Sequence, residues 1–508
     1  MKNFFSKNWS VIILVIILAF SVFLRFYNLQ FTPGWWPDEG VYLNIANNLL
    51  HGKAQMLAFS YPFVPHPPLF FLISALFIKY IGYSLLAMRS FTAILGILLV
   101  ILVYLMGRSL NRPVVGIVAA FLIAVMGENV ILSRVALPYE LFTIFSALFI
   151  YFLFQHISSK KNVYYFLLFL IAGLAMVTSY YAAVMIIFLL IYSTYLFIKK
   201  ELKFKTIGIS LLIFLLPVLP YLIWGLVYVR PAFAHDILYI FSRHTVDTAK
   251  IVKSFLQSVL NVNFFFVFGL IGLLFLPKKV RFWTILYLFL LLGLEYKFRQ
   301  KFTWFSATYI FIFYFGAAVM LDKISKLILE SFSEDKPRET LRICLLVLLV
   351  LTLTFSSVFY LTKKIIHHEW LETDFNVNEE ESFSTGNDGY PVLHEAIGYI
   401  NANVGPNDTV LASAQYLWMI KAKPTDPILS YIYTDQATTN FPSDMRQTGR
   451  FLYDPSYQKA KFLLEDKFTR MWFAHQPGIE EGVLDDIYNN WPKVFDKSDF
   501  KIYQNPNI

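Results

Sequence analysis

The chain has 508 residues, of which 57% are hydrophobic and only 15% are charged, whereas a soluble globular protein has about 25% charged residues. This composition excludes a soluble globular protein and favours a polytopic membrane protein over one with a single anchor. The net charge of +9 does not indicate nucleic-acid binding, because the lysines and arginines cluster in short loops between apolar segments. The single cysteine, Cys344, excludes an intramolecular disulfide and a cysteine-based metal site.

Eleven apolar segments are predicted to span a membrane. They lie near residues 9–29, 84–107, 112–127, 137–156, 163–177, 180–198, 206–229, 262–277, 281–295, 302–321 and 341–361. Lys2 and Lys7 precede the first segment and place the amino terminus in the cytoplasm. The alternate loops expected on the cytoplasmic side are all basic, and an odd number of spans puts the chain after residue 361 outside the cytoplasm. The sequence therefore predicts a multi-pass protein of the plasma membrane.

Residues 30–83 form a long predicted external loop with two amphipathic stretches, near residues 39–50 and 69–80. Asp38 and Glu39 are adjacent carboxylates at the start of this loop. Carboxylates beside a membrane are costly to desolvate, so this pair is a candidate functional site. The alternative is a solvated pair of loop charges. His66 precedes two prolines, which indicates a turn of fixed geometry.

The second external loop, near residues 127–138, also carries charged side chains. Glu128 and Arg134 lie in this loop, and Glu140 lies at the start of the next predicted helix. A carboxylate at this surface is suited to take a proton from a hydroxyl group that acts as a nucleophile.

A basic cluster lies in a later external loop, at residues 295–302. Lys297, Arg299 and Lys301 are three cations on the side of the membrane that should be poor in positive charge. A phosphate group at the membrane surface would explain them, since a basic cluster stabilises the charge on a departing phosphate. The alternative is an error of one span in the predicted topology.

The chain changes character after the last apolar segment. Residues 1–365 are predicted to be the membrane domain, residues 366–390 a polar linker, and residues 391–508 a small extracytoplasmic α/β domain. Helices are predicted at 393–403 and 483–490, with strands at 409–413, 470–473 and 500–503. The expected role of this domain is recognition of the substrate that carries the nucleophilic hydroxyl, or covering of the active site.

Four short motifs occur in a characteristic order. They are Asp38-Glu39-Gly40-x-Tyr42, then His66-Pro67-Pro68-Leu69 followed by Arg89, then Ser133-Arg134-x-x-x-Pro138-x-Glu140, and finally Lys297-x-Arg299 leading into a helix with Tyr309. This order resembles the integral-membrane GT-C glycosyltransferases, specifically the family 39-like group of protein O-mannosyltransferases and aminoarabinose transferases. The resemblance covers about the first 320 residues. The chain departs from the family's common Arg-Tyr-x-x-Pro-x-x-Pro pattern, because residues 302–321 contain no proline.

The resemblance implies a GT-C fold with about 11 transmembrane helices and an inverting glycosyltransferase. Such an enzyme moves a sugar from a polyprenyl-phosphate carrier to a hydroxyl of a protein, lipid or glycan at the outer face of the membrane. It needs no nucleotide sugar. A divalent metal ion is not predicted as a cofactor, and no metal ligand is assigned.

The resemblance also implies roles for individual residues. Asp38 would be the general base, Glu39 a second catalytic carboxylate or a helix cap, and Glu140 the second acidic site of the family. The residues expected to contact the carrier phosphate are Lys297, Arg299 and Arg134. Substrate-binding or structural roles fall to Tyr42, His66 and Arg89, and an equal alternative for Arg89 is a side chain that extends to the membrane surface.

Two other functions compete with this interpretation. A transporter or flippase of a lipid-linked or anionic substrate predicts charges near the bilayer midplane and internal repeats, whereas the spans hold almost no charge and no obvious repeat. A structural scaffold gives the external carboxylates no role. Trp35-Trp36 is similar to the Trp-Trp-Asp motif of oligosaccharyltransferases, but Pro37 intervenes, so transfer of a whole glycan to asparagine is not predicted.

Overall fold

The computed structural model describes most of the chain. The described residues are 2–61, 67–229, 233–234, 236, 264–298, 303–330, 338–366, 390–438, 441, 443–447, 449–466, 469–470, 473 and 478–508. His66, Arg299 and Lys301 lie outside these ranges, as does nearly all of the predicted linker. The predicted boundaries between membrane domain, linker and α/β domain therefore stay predictions.

Helices account for most of the described part of residues 1–366. They are α1 (Lys2–Phe26), α2 (Pro37–Leu50), α3 (Leu69–Ile81), α4 (Leu85–Ser109), α5 (Pro113–Val125), α6 (Gly127–Leu132), α7 (Pro138–Ser159), α8 (Asn162–Met176), α9 (Ala183–Ile198), α10 (Phe204–Tyr228), α11 (Phe264–Leu273), α12 (Lys278–Phe298), α13 (Thr303–Glu330) and α14 (Arg338–Ile366). Proline occupies the first position of α2, α5 and α7, where its missing N–H costs no helical hydrogen bond. Each predicted apolar segment overlaps one of these helices, and α2 and α3 occupy the two amphipathic stretches of the predicted first external loop.

Six helices in the described part of the chain are long and apolar enough to cross a membrane. By length and composition these are Trp9–Phe26, Leu85–Ser109, Pro138–Ser159, Tyr180–Ile198, Phe204–Tyr228 and Leu341–Phe359. Large apolar side chains such as Leu216 and Phe355 are more than two thirds exposed, at 73% and 72%. Outward-facing apolar side chains are expected where a helix contacts lipid. The predicted total of eleven crossings stays a prediction.

The carboxyl-terminal part contains a mixed five-stranded sheet with helices around it. Its elements are α15 (Tyr390–Asn403), β1 (Thr409–Ala412), β2 (Lys423–Thr425), α16 (Pro427–Ile432), β3 (Ala460–Glu465), α17 (Asp485–Asn490), β4 (Lys493–Lys497) and β5 (Phe500–Gln504). The strand order is β2-β1-β3-β5-β4. β1 is parallel to β2 and β3, and β5 is antiparallel to β3 and β4.

The strand predicted at residues 470–473 is wrong, because the structure has Arg470 and Phe473 in helical conformation. The buried strand of this region is β3, which ends five residues earlier. Asp466 directly follows β3, and its Oδ1 accepts a hydrogen bond from the Thr469 N–H at 2.7 Å, which caps the helical conformation at Thr469 and Arg470.

The sheet-containing part packs directly on the predicted first external loop. The Ser60 N–H donates to the Arg450 carbonyl at 2.8 Å, and the Leu452 N–H donates to the Ala58 carbonyl at 2.9 Å. The ring of Trp35 lies 5.6 Å from that of Trp418. These contacts bring α2, and with it the two adjacent carboxylates, to the boundary between the two parts of the protein.

Candidate active site

The paired carboxylates lie in the first turn of α2. Trp36 precedes the helix in an extended conformation (φ −94°, ψ 142°), and Pro37 occupies the first helical position. Asp38 and Glu39 follow directly, where negative side chains complement the positive end of the helix dipole. The local sequence therefore fixes both carboxylates at a helix start, and successive helical positions send the two side chains in different directions.

Glu39 points into the protein and is fully buried. Its Oε1 accepts hydrogen bonds from Arg89 Nε (2.8 Å) and the Ala136 N–H (2.8 Å). Its Oε2 accepts from Arg89 Nη2 (2.6 Å) and the Trp36 N–H (2.9 Å). A carboxylate with four such donors is not available to take a proton from a substrate, so this geometry favours the helix-capping role over a catalytic one.

Arg89 belongs to the same anchor. Its side chain is fully buried on α4. Besides Glu39, it donates to the carbonyls of Pro33 (2.7 Å), Gly34 (3.0 Å) and Leu29 (3.1 Å). The alternative in which Arg89 extends to the membrane surface is therefore wrong. The guanidinium instead holds the chain between α1 and α2 against α4.

Asp38 points away from this anchor and is exposed. The surrounding protein nevertheless keeps much of the bulk water from its carboxyl group, and this desolvation raises its pKa to about 6. A hydrogen bond from Trp36 Nε1 at 3.4 Å lowers the pKa, and the neighbouring charge of Glu39 raises it. An accessible carboxylate with a pKa just below neutrality is suited to general-base catalysis, because it is ionised at pH 7 and still a useful proton acceptor.

Tyr42 lies one helical turn after Asp38 on α2. Its ring packs against the rings of Phe71 at 5.3 Å and Phe70 at 6.2 Å, both on α3. Burial, followed by the nearby charge of Asp38, keeps the pKa of Tyr42 well above its ordinary value. The side chain thus joins α2 to α3, and its hydroxyl stays protonated near the Asp38 carboxylate.

Arg134 is committed to backbone carbonyls. The fully buried guanidinium donates to the carbonyls of Leu24 (2.6 Å), Tyr27 (2.8 Å) and Thr32 (2.7 and 3.0 Å). It therefore fixes the end of α1 and the chain that leads to α2. This geometry favours a structural role over the predicted contact with a carrier phosphate.

Arg134→Lys is expected to lower the free energy of unfolding by about 3 kcal/mol, because one ammonium group cannot replace a planar fork that reaches three carbonyls. Thermal or denaturant unfolding of the purified protein in detergent measures this loss. The exposed Arg108 provides the matched control, and Arg108→Lys should change stability by less than about 0.5 kcal/mol. Equal effects of the two substitutions would contradict the structural role.

Glu140 lies in the first turn of α7 and is buried. The main charge acting on it is that of Arg25, whose guanidinium donates to Ser21 Oγ (2.7 Å), the Ile123 carbonyl (3.1 Å) and the Ala124 carbonyl (3.2 Å). Among the described residues, no hydrogen bond joins Glu140 to Asp38. The structure therefore brings Asp38, Glu39, Tyr42 and Arg89 together but leaves Glu140 with Arg25 between helices.

Glu128 is a further carboxylate, in the predicted second external loop, to which the sequence motifs assigned no role. It is partly exposed at the start of α6, and the Tyr314 hydroxyl donates to its Oε2 at 3.0 Å. Tyr314 lies on α13, the helix that follows the basic loop, and the backbone of Lys297 forms part of the last turn of α12. Its place in the second external loop was the only sequence signal for Glu128. Across the described residues, no group of three or more His, Cys, Asp or Glu side chains is arranged to hold a metal ion.

Sequence comparison finds related proteins over part of the chain. The family described as dolichyl-phosphate-mannose-protein mannosyltransferase matches residues 65–224. An uncharacterized protein of Aquifex aeolicus (strain VF5) is 29% identical over 212 residues. That alignment covers 40% of this chain and 42% of the relative, so it spans less than half of either protein.

Structural comparison extends over nearly the whole chain. ArnT from Cupriavidus metallidurans, solved bound to undecaprenyl phosphate, has a TM-score of 0.65 at 12% identity and covers 98% of both chains. The apo oligosaccharyltransferase of Archaeoglobus fulgidus has a TM-score of 0.57 at 13% identity, over 91% of this chain and 70% of the other. The protein thus has the GT-C fold of a multi-pass membrane protein, and the predicted resemblance to the GT-C group is confirmed.

Proposed function

We propose that this protein moves a sugar from a polyprenyl-phosphate carrier to an acceptor hydroxyl at the outer face of the membrane, with inversion at the anomeric carbon. The observation that carries the proposal is Asp38. It is an exposed carboxylate with a raised pKa, and the buried Glu39–Arg89 pair fixes the helical turn that bears it. Such a group fits a reaction that needs a base but no hydrolytic water.

The chemistry follows from these positions. Asp38 takes the proton of the acceptor hydroxyl while that oxygen forms a bond to the anomeric carbon of the sugar. The bond from this carbon to the carrier phosphate breaks on the opposite face, and the phosphate leaves with the bonding electrons. Lys297 and Arg299 are proposed to stabilise the charge on the phosphate. Glu128 and Glu140 are the next candidates for the general base.

The relatives support the lipid-linked substrate. ArnT was solved with undecaprenyl phosphate, and the Archaeoglobus fulgidus oligosaccharyltransferase AglB was solved with an inhibitory peptide and a dolichol-phosphate, at a TM-score of 0.50. We infer that this chain likewise binds a polyprenyl-phosphate sugar. We further propose a cytoplasmic amino terminus and an extracytoplasmic sheet-containing part, because the basic loops predict the first and an odd number of spans predicts the second.

A donor panel tests the proposal directly. Purified full-length protein is incubated with radiolabelled hexoses and pentoses linked to undecaprenyl or dolichyl phosphate, with and without candidate hydroxyl acceptors. We expect at least one lipid-linked sugar to be cleaved, with release of the polyprenyl phosphate and inversion in the product. Nucleotide sugars serve as the control and should not react. Movement of an intact lipid-linked sugar across vesicles without cleavage would favour the flippase instead.

A further inference from the structure

The first turn of α2 is held from two opposite sides. On the membrane side, Glu39 is anchored by Arg89 and the Ala136 N–H. On the other side, Gly40 meets the backbone of the sheet-containing part. A Cβ at position 40 would lie 1.8 Å from the Ala414 carbonyl oxygen and 2.9 Å from the Gln415 Cα. Only glycine permits this approach, because the obstructing atoms are backbone and cannot rotate away.

The segment that meets Gly40 is the loop after β1, here called the β1 loop (residues 413–418), and it is itself rigidly held. Gln415 Nε2 donates to Asp466 Oδ2 at 3.0 Å, and Trp418 Nε1 donates to the Gln415 carbonyl at 2.9 Å. Gln415 and Asp466 are both buried. Asp466 directly follows β3, the parallel neighbour of β1, so the carboxyl ends of two strands fix the loop.

The β1 loop also contacts the chain just before α2 and just after α3. The ring of Trp418 lies 5.6 Å from that of Trp35 and 5.9 Å from that of Tyr83. Trp35 is itself tied down, since its Nε1 donates to the Gln30 carbonyl at 2.8 Å. Asp38 stands on the clamped turn, two residues before Gly40, and is the one carboxylate of the pair that remains exposed.

We propose that the β1 loop completes the active site of the membrane part, with Gly40 and Gln415 as positioning residues that orient the Asp38 carboxylate. The inference rests on the proposed function and assigns the sheet-containing part a share in catalysis that does not depend on contact with the acceptor. A displacement of about 1 Å at a reacting group can cost about 100-fold in rate. Separation of α2 from the β1 loop should therefore act on kcat more than on substrate binding.

Two glycine substitutions test this role. Gly40→Ala is expected to reduce kcat about 100-fold while the KM for the lipid-linked donor stays within about twofold. It should also shift the acidic limb of the pH profile, because Asp38 would sit in a changed environment. Gly293→Ala on α12 is the matched control, since nothing lies within 4 Å of a Cβ there, and it should leave kcat and the pH profile unchanged.

A second readout does not need turnover. In a Cys344→Ser background, Asp38→Cys provides a thiol whose labelling rate by a water-soluble maleimide reports its surroundings. Adding Gly40→Ala or Gln415→Met should change this rate by about fivefold or more, whereas Gly293→Ala should not. If Gly40→Ala does not fold, as judged by its melting temperature, Gln415→Met decides, because it removes the hydrogen bond from Gln415 to Asp466 that holds the β1 loop and adds no atom at the contact with Gly40.

The outcomes separate the two proposals. An unchanged labelling rate overturns the positioning role, whether or not activity falls, and so does unchanged activity in both Gly40→Ala and Gln415→Met. If the wild-type protein cleaves no lipid-linked sugar, the proposed function fails. Even then, a labelling change confined to Gly40→Ala and Gln415→Met would support the proposal that the β1 loop positions Asp38.

Discussion

Asp38→Asn is expected to reduce sugar transfer by about 10²–10⁴-fold, because the amide keeps the size of the side chain but cannot accept a proton at neutral pH. The fold should be unaffected, since the only hydrogen bond of the described structure to this carboxylate comes from Trp36 at 3.4 Å. The measurement is initial-rate transfer from the lipid-linked donor that the panel identifies, together with the melting temperature of the variant.

The pH profile provides an independent check on the same residue. Desolvation of the carboxyl group by the surrounding protein raises the pKa of Asp38 to about 6, so the base is mostly ionised above pH 6 and mostly protonated below it. The kcat/KM for transfer should therefore fall as the pH drops through about 6. An ordinary aspartate would keep the enzyme active to about pH 4. An acidic limb at pH 4 would contradict the desolvated environment.

Asp485→Asn is the matched control, since Asp485 is exposed at the start of α17 and far along the chain from the site. It should leave both rate and pH profile unchanged. Full activity in Asp38→Asn would remove Asp38 as the base. Glu128 and Glu140 would then be replaced in turn, and the structure ranks Glu128 first because its side chain is partly exposed while that of Glu140 is buried.

The helices and the position of the carboxylate pair could be predicted from the sequence because both depend on local information. Apolar runs give the helices, and Pro37 followed by two acids indicates a helix start. The local sequence does not indicate which of the two acids faces the protein interior. It depends on Arg89, 50 residues away, and on Ala136, 97 residues away, and no local pattern contains those contacts.

The arginines illustrate the same limit. A basic residue in an external loop has the same sequence signature whether it binds a phosphate or backbone carbonyls. Arg134 turned out to donate to Leu24 and Thr32, more than 100 residues earlier in the chain. The loop after β1 was also beyond prediction, because its importance comes from a contact between Gly40 and Ala414. Burial of a charge and close backbone approach are tertiary properties.

Arg89→Met is expected to lower the free energy of unfolding by about 3–5 kcal/mol, since it leaves the carboxylate of Glu39 buried without its cation. Arg89 and Glu39 are both fully buried and share two hydrogen bonds of 2.8 and 2.6 Å. Chemical denaturation in detergent measures the loss. Lys160→Met is the control, because the Lys160–Glu201 pair is exposed, and an exposed pair contributes about 0–1 kcal/mol.

The double variant Glu39→Gln with Arg89→Met distinguishes a lost attraction from an unpaired charge. The neutral amide that replaces the carboxylate has no charge to bury, and its oxygen can still accept from the Ala136 N–H, so the double variant should be more stable than Arg89→Met alone. Equal stability of the two would mean that desolvation of Glu39 is not the main cost.

The Glu39–Arg89 pair and Asp38 are expected to have different roles. Arg89→Met should reduce stability first and activity as a consequence, whereas Asp38→Asn should reduce activity at unchanged stability. The same helical turn can carry a buried acid that stabilises the fold and an exposed acid that serves catalysis, because the two side chains point in different directions.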